Sequence, residues 1–472
     1  MSAITVNSAR YALLFSLSLI SACAHYQAKP LDLQSTGKQF SARNLNDPAI
    51  QQRLQLLQLV DTASTGRWDR AQLLVVAAEN NAKLVRARTQ LQVASAAQLT
   101  AAALPNPTLS LGSEYNLSQT VESPWLWSIS TDWLLDAGLR RQLRIRLADT
   151  QLQAVRVDYA EAVWAVRSEL RTALLNYLLG TERSKVLSTS IVNQEQLLNL
   201  QRQRIAQGEA TASEALQVEL ELTRTRSSLA ENSRMQAVAL AQLAQALGMP
   251  IVALQSQSFT WDELLRVTAL DAEQLQQLRN SALLSRADLQ RAVIGYQQRE
   301  LELQQAVRQQ YPQFSIGPGY SWDHAVKKIS LGLSLGLPVF NHNQGPIAEA
   351  EAARNLAGEQ ALLVQSQILN DIDVAQQAYQ TAVSALQGVL QQSDVVDALL
   401  KQSQQALALG ATDQIGVIAA QLTSNVQTLV VLDAVERMQQ SLGQLEDAVR
   451  APLSGPELNI NKTALLETTL TK

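Results

Sequence analysis

At 472 residues, the chain has ample apolar material for a large core, and a formal charge of -4 leaves no basic excess with which to bind nucleic acid. Aromatic residues make up only 4%, and a single cysteine excludes an internal disulfide framework. Abundant Ala, Leu and Gln with few Gly and Pro favour long helices that pack closely.

The first 22 residues have the pattern of an export signal. Arg10 supplies the positive start, Tyr11 to Ile20 the apolar stretch, and Ser21 and Ala22 the small residues before a cleavage point. The only cysteine, Cys23, follows at once, and Ile20-Ser21-Ala22-Cys23 resembles a bacterial lipobox, which implies a lipidated, palmitate-bearing N-terminus. Ala24 stands where an Asp would mark inner-membrane retention, so the resemblance implies delivery to the outer membrane. Beyond Cys23 no uninterrupted apolar run approaches the ~20 residues of a membrane-spanning helix. Any crossing must therefore use strands.

The chain then repeats itself. Leu104-Pro105-Asn106-Pro107 opens a strand-like stretch ending near Asp136-Ala137-Gly138, and Tyr311-Pro312-Gln313-Phe314 opens another ending near Asn343-Gln344-Gly345. After each, a helical pattern runs to a glycine, Gly208 or Gly410, and a further helix follows. So long a period marks a duplicated half-protein rather than a solenoid. The expected order is a segment at 23–68, a first repeat at 69–248, a linker at 249–280, a second repeat at 281–451 and a tail at 452–472. Prolines fall in the strand-like, terminal or connecting segments, where the missing amide is tolerated.

Each strand-like stretch splits into two runs of period two, predicting strands at 107–117, 125–135, 313–322 and 327–338. Leu109, Leu111, Tyr115 and Leu117 alternate with Ser110, Gly112, Glu114 and Asn116, and Ile329, Leu331, Leu333 and Leu335 with Ser330, Gly332 and Ser334. Apolar-out, polar-in alternation over ~9–11 residues is the pattern of a transmembrane barrel strand. Tyr115, Trp125, Trp127, Trp133, Tyr320 and Trp322 are the expected aromatic belt, since such rings favour the membrane–water interface. Four strands cannot close a barrel, so other copies must complete it.

Between Gly138 and Gly208 the helical pattern lasts about 70 residues, roughly 105 Å at ~1.5 Å per residue. Leu152, Val155, Tyr159, Val163, Val166, Leu170, Leu174 and Tyr177 recur at a mean near 3.67, as Ile368, Ile372, Ala375, Tyr379, Val383, Leu386 and Leu390 nearly do. That spacing predicts straight helices rather than a left-handed supercoil.

The duplicated strand-helix plan, Leu104-Pro105-Asn106-Pro107, Leu337-Pro338-Val339-Phe340-Asn341 leading to Asn343-Gln344-Gly345, and the turns after Gly208 and Gly410 together resemble the TolC family of outer-membrane efflux factors. The Leu337 to Gly345 segment is most similar to the CzcC-like heavy-metal branch. The resemblance implies a mainly α chain with a membrane β-barrel portion: a homotrimer whose 12-stranded barrel continues into a long α-helical periplasmic tunnel. It also implies a periplasmic adaptor and an inner-membrane resistance-nodulation-division pump as partners, outer-membrane lipid around the barrel, and heavy-metal cations as cargo. A drug-efflux or type I secretion duct has the same plan, and a periplasmic adaptor or coiled-coil scaffold is the alternative outside channels. The tip and constriction would involve Gly208, Glu214, Gly410 and Asp413, although Gly416 and Ala419 stand where relatives often carry gating acids. Asp413 also suits a helix N-terminus, where a carboxylate favours the dipole.

No catalytic constellation emerges. His25, His324 and His342 are far apart, no nucleophile stands beside a base, and no glycine loop cradles a phosphate, so the chain reads as a non-enzyme without cofactor or bound metal.

Overall fold

The computed structural model describes residues 26–59, 66–117, 123–135, 139–268, 272–323 and 326–459. The signal segment 1–22, Cys23, His25, the landmarks Asp136, Ala137 and Gly138, His324 and the tail beyond 459 lie outside them. The chain divides into two units, 1–43 and 44–472. In the first, α1 (Leu33–Ala42) starts at Asp32, whose carboxylate accepts the amides of Gln34 and Ser35, each at 3.0 Å. None of its residues is buried.

The second unit begins with α2 (Pro48–Leu56), then β1 (Arg67–Trp68) and α3 (Arg70–Asn80). A reciprocal Asp69–Gln72 capping box opens α3, whose residues Arg70 to Ala78 are all buried. The first repeat runs α4 (Ala82–Ala102), β2 (Thr108–Tyr115), β3 (Trp125–Leu135), α5 (Leu139–Ala206) and α6 (Ala212–Leu247). After β4 (Ser258–Phe259), which pairs in parallel with β1, and α7 (Ala272–Ser285), the second repeat follows. It runs α8 (Ala287–Arg308), β5 (Phe314–Asp323), β6 (Val326–Leu335), α9 (Gln344–Ala408) and α10 (Gln414–Val449). Helices of 68 and 36 residues in one repeat match 65 and 36 in the other.

Observed strands depart from the expected limits where amides are lost or spent. Pro107 has no amide, so β2 starts one residue later, and Asn116 ends it with a bond to the carbonyl of Pro124 at 2.6 Å. At the far end, Pro338 and a tight turn, Val339 amide to Leu337 carbonyl at 2.9 Å, close β6 at Leu335. The expected linker 249–280 stops inside α7, which continues to Ser285.

The main core lies where α3, α5, α6, α9 and α10 meet, around Val75, Leu170, Leu174, Leu243, Leu247, Ile368, Met438 and Leu442. A smaller cluster, Ala87, Leu91, Ala94, Leu152 and Tyr159, joins α4 to α5. The apolar stripe read along α5 is buried or half-buried throughout, but that of α9 fades beyond Leu386, and Leu390 is 42% exposed. In a single copy, Leu216, Leu220, Val395 and Leu399 likewise remain open to solvent.

Each repeat joins two helices end to end. The Asn81 side chain, at the N-cap of α4, donates to the carbonyl of Ala246 near the end of α6 at 2.8 Å. Arg286, at the N-cap of α8, donates to the carbonyl of Ala448 near the end of α10 at 2.9 Å. In both cases the residue opening one helix satisfies a carbonyl left over at the end of another. At the first joint Gly248 has φ 67°, and a Cβ there would meet Asn80 C at 2.6 Å and Asn81 Cα at 2.9 Å. Gly248→Ala is expected to destabilise the fold by at least about 1–2 kcal/mol from the left-handed backbone alone. Chemical unfolding of purified protein would show this as a lowered midpoint, and an unchanged midpoint would place the joint elsewhere.

Candidate functional site

The four long strands form one antiparallel sheet in the order β2-β3-β5-β6, so the two repeats meet at the β3–β5 pair. Register brings like residues together. Leu111, Ile129, Tyr320 and Ile329 share one row, and Pro318 and Leu331 another, on a mainly apolar side whose exceptions are Ser113, Thr131 and Lys327. On the opposite side Ser110, Ser130, Gly319 and Ser330 lie in a row, as do Gly112, Ser128, Ser321 and Lys328. All of β2 and β6 is exposed. In water such a sheet would leave sixteen large apolar side chains uncovered, far from the solution a soluble domain adopts.

The small-residue side is close-packed. A Cβ on Gly319 would lie 2.7 Å from the Ser330 hydroxyl and 3.3 Å from Ser130 Cβ, and one on Gly112 would lie 2.6 Å from the Ser128 hydroxyl. Glu114, Asp132 and Asp323 share this side, with Lys328 paired to Asp323. Pro318 sits in the inner strand β5, and the β3–β5 ladder is interrupted beside it because it has no amide to give.

The aromatic residues collect at two heights. Tyr115 meets Trp125 edge-on with centroids 4.9 Å apart, Trp125 stacks on Trp127 at 5.5 Å, and Trp127 pairs in register with Trp322, beside Tyr320. Trp133 stands near the helical end, its indole donating to the Thr131 hydroxyl at 3.0 Å. Six to eight residues at ~3.4 Å each separate the two heights, roughly 20–27 Å, close to the ~25 Å apolar band of a barrel. Among the described residues both sheet edges, β2 and β6, lack a neighbouring strand.

At the far end of the long helices two equivalent turns reverse the chain. Gly208 (φ 78°) and Gly410 (φ 70°) each close a helix in the left-handed conformation. Glu209 amide bonds Arg204 carbonyl at 2.9 Å, and Ala411 amide bonds Ala406 carbonyl at 2.8 Å. Glu214 accepts the Thr211 hydroxyl at 3.1 Å. The Asp413 carboxylate caps α10, accepting the amide of Gly416 at 2.9 Å. Among the described residues no group of three or more His, Cys, Asp and Glu is placed to hold a metal ion.

Sequence reasoning missed a buried charge clasp between these two ends. Arg167 of α5 reaches Glu446 of α10 at 3.0 Å and Glu457 of the C-terminal segment at 2.5 Å, and Arg171 reaches Glu446 at 3.2 Å. All four are at most 4% exposed. Glu446 also accepts the Leu453 amide at 2.8 Å, and Arg70 donates to the Ser454 carbonyl at 3.2 Å. Arg70 and Arg171 lie over the Trp261 ring at 4.2 and 5.1 Å. Gly443 and Gly455 leave the space that Arg171 and Arg70 fill. Burial pushes both α5 guanidiniums toward neutrality. For Arg167 the two carboxylates outweigh it and raise its pKa, whereas Arg171, repelled also by Arg70 and Arg167, ends below its ordinary value. The available signal was Arg167 and Arg171 lying one turn apart beside the apolar stripe of α5.

The family model "Outer membrane efflux protein" matches residues 73–249, from α3 to the first helix joint. Over those residues the chain is similar to the outer membrane efflux proteins, in keeping with the family its duplicated strand-helix plan resembles. The pyoverdine export outer membrane protein OpmQ of Pseudomonas aeruginosa is 27% identical over 242 residues, 50% of this chain and 49% of that protein. The match thus spans about half the length of that curated relative. The crystal structure of the open state of the Neisseria gonorrhoeae MtrE outer membrane channel is 15% identical with a TM-score of 0.67, covering 82% of this chain and 89% of that one. The outer membrane protein VceC of Vibrio cholerae is 16% identical with a TM-score of 0.64, covering 82% and 97%. At those identities the two structures establish the shared TolC-family fold, including the mainly helical chain with one four-stranded sheet.

Proposed function

We propose that this chain is the outer-membrane channel of a tripartite efflux system, passively conducting substrates delivered by an inner-membrane pump and a periplasmic adaptor. The observation that carries the reading is the exposed four-stranded sheet with one apolar side, one small polar side and two open edges. Backbone groups on such edges cannot stay unpaired in lipid, so three copies closing a 12-stranded barrel satisfy both the edges and the family plan. Tyr115, Trp125, Trp127, Tyr320 and Trp322 then mark one membrane interface and Trp133 the other. The open apolar faces of α6 and α9 pack between copies, and the turns at Gly208, Glu214, Gly410 and Asp413 form the periplasmic tip. Cys23 carries the lipid anchor after removal of 1–22. The chain performs no chemistry of its own, as expected of a conduit whose energy comes from the pump. Detergent fractionation with crosslinking tests this: trimeric, sarkosyl-insoluble outer-membrane material supports the channel, and a soluble periplasmic monomer refutes it.

Heavy-metal cations are the cargo supported by the Leu337 to Gly345 segment, which resembles the metal-efflux branch. The similarity to a pyoverdine exporter favours a second reading, export of a small organic molecule. Growth of a deletion strain on divalent metal salts and on organic toxicants, with and without the restored gene, separates the two. Asp413 is also proposed to narrow the tip. If Asp413→Ala leaves single-channel conductance and cation block unchanged, its role is that of the helix cap alone.

A further inference from the structure

Where α5 leaves the sheet, its first two turns carry Arg140, Arg141, Arg144 and Arg146, although a helix N-terminus disfavours cations. Two of these have structural work. Arg140 donates to the carbonyls of Arg308 and Tyr311 at 3.3 and 2.6 Å, and Arg141 to that of Ala102 at 2.9 Å, so they satisfy the C-terminal ends of α8 and α4. Arg146 has no such use. It lines a groove of about 510 Å³ between α5 and α8 that Arg308 also lines, and no carboxylate among the described residues pairs with either guanidinium. Glu300, the acid among the described lining residues, is engaged by Arg354 at 3.5 Å and by Gln304 at 3.4 Å.

The sheet end of the same groove is apolar, walled by Leu139, Leu143, Leu303 and Val307. Tyr311 closes it, with the Arg308 guanidinium 6.0 Å from the ring, three residues before β5 begins. Direction follows from the helix wheel of about 100° per residue. On α5, Gln151 and Asp158 reach α8, through Gln298 at 2.7 Å and Arg291 at 3.1 Å, while Leu152 and Tyr159 pack on α4. Arg146 and Gln153 lie in the wider arc between those two neighbours, and in a closed ring of helices the wider arc faces outward.

We infer that this groove binds an anionic phospholipid of the periplasmic leaflet, its phosphate between Arg146 and Arg308 and an acyl chain along Leu139, Leu143, Leu303 and Val307. The inference rests on the outer-membrane channel reading. An amphipathic slot just below the Trp133 level meets a lipid at the depth where headgroup and hydrocarbon part, and two unneutralised guanidiniums select negative charge. In the protein purified from its membrane fraction, native mass spectrometry in nanodiscs of mixed phosphatidylglycerol and phosphatidylcholine reads the retained lipid. Wild-type protein is expected to retain phosphatidylglycerol preferentially, and Arg146→Gln/Arg308→Gln to lose roughly tenfold of that preference, as two charge-assisted contacts warrant. Arg146→Lys/Arg308→Lys should keep most of it. Equal retention of the two lipids by wild type, or an unchanged preference in the Gln variant, overturns the groove. Sarkosyl fractionation of the same preparations reports on the channel reading separately, since lipid selectivity can fail while outer-membrane location holds.

Discussion

Glu457→Leu is expected to destabilise the protein by about 3–5 kcal/mol, whereas Arg167→Met/Glu457→Leu should recover most of that loss. In the wild type, Arg167 and Arg171 face Glu446 and Glu457, two cations against two anions in a site almost closed to water. Removing Glu457 alone leaves two guanidiniums around one carboxylate with no solvent to screen them. Removing Arg167 as well leaves Arg171 and Glu446, a balanced pair at 3.2 Å. Replacing a buried ion pair by apolar side chains of similar size is often neutral, because the desolvation cost disappears along with the attraction. Denaturant midpoints of the three proteins in detergent measure the difference. A single-variant loss under about 1 kcal/mol, the scale of an exposed pair, would mean that water reaches the clasp. Because Glu457 lies in the C-terminal segment, Arg70 in α3 and Trp261 in the connection between repeats, this clasp ties the C-terminal segment and that connection to the helices of both repeats.

The second large effect separates the two sides of the sheet. Leu331→Arg puts a cation on the apolar side near mid-strand, and its expected cost is about 2–4 kcal/mol with loss of outer-membrane assembly. Ser330→Lys, one residue earlier, puts one on the polar side beside Gly319, whose missing Cβ leaves room. That variant should assemble normally and lower single-channel cation conductance. Trimer yield in the sarkosyl-insoluble fraction and planar-bilayer recordings supply the two readouts. Equal tolerance of both substitutions would remove the distinction between lipid side and water side on which the channel reading depends.

Much of this architecture was legible residue by residue. Period-two runs located the four strands to within three residues at every end, because a sheet with one apolar side writes its pleat directly into alternation. Gly208 and Gly410 marked the helix reversals because the left-handed turn they form excludes most side chains. The capping role of Asp413 could be read from its place before a helix, although its bond to Gly416 could not. The clasp, by contrast, draws on α3, α5, α10, the connection near Trp261 and the C-terminal segment, and no local pattern links positions so far apart in sequence.

The sequence by itself determined the duplicated plan, the two-sided strands and the long straight helices, all properties of periodicity along the chain. Tertiary structure alone decided that β3 pairs with β5 across the repeats, that α6 and α10 end against α4 and α8, and that Arg70, Arg167 and Arg171 are stored together in the interior. The physical reason is range: alternation and helical spacing act between near neighbours, whereas desolvated charges and helix-end carbonyls take whichever partner the folded chain brings within about 3 Å.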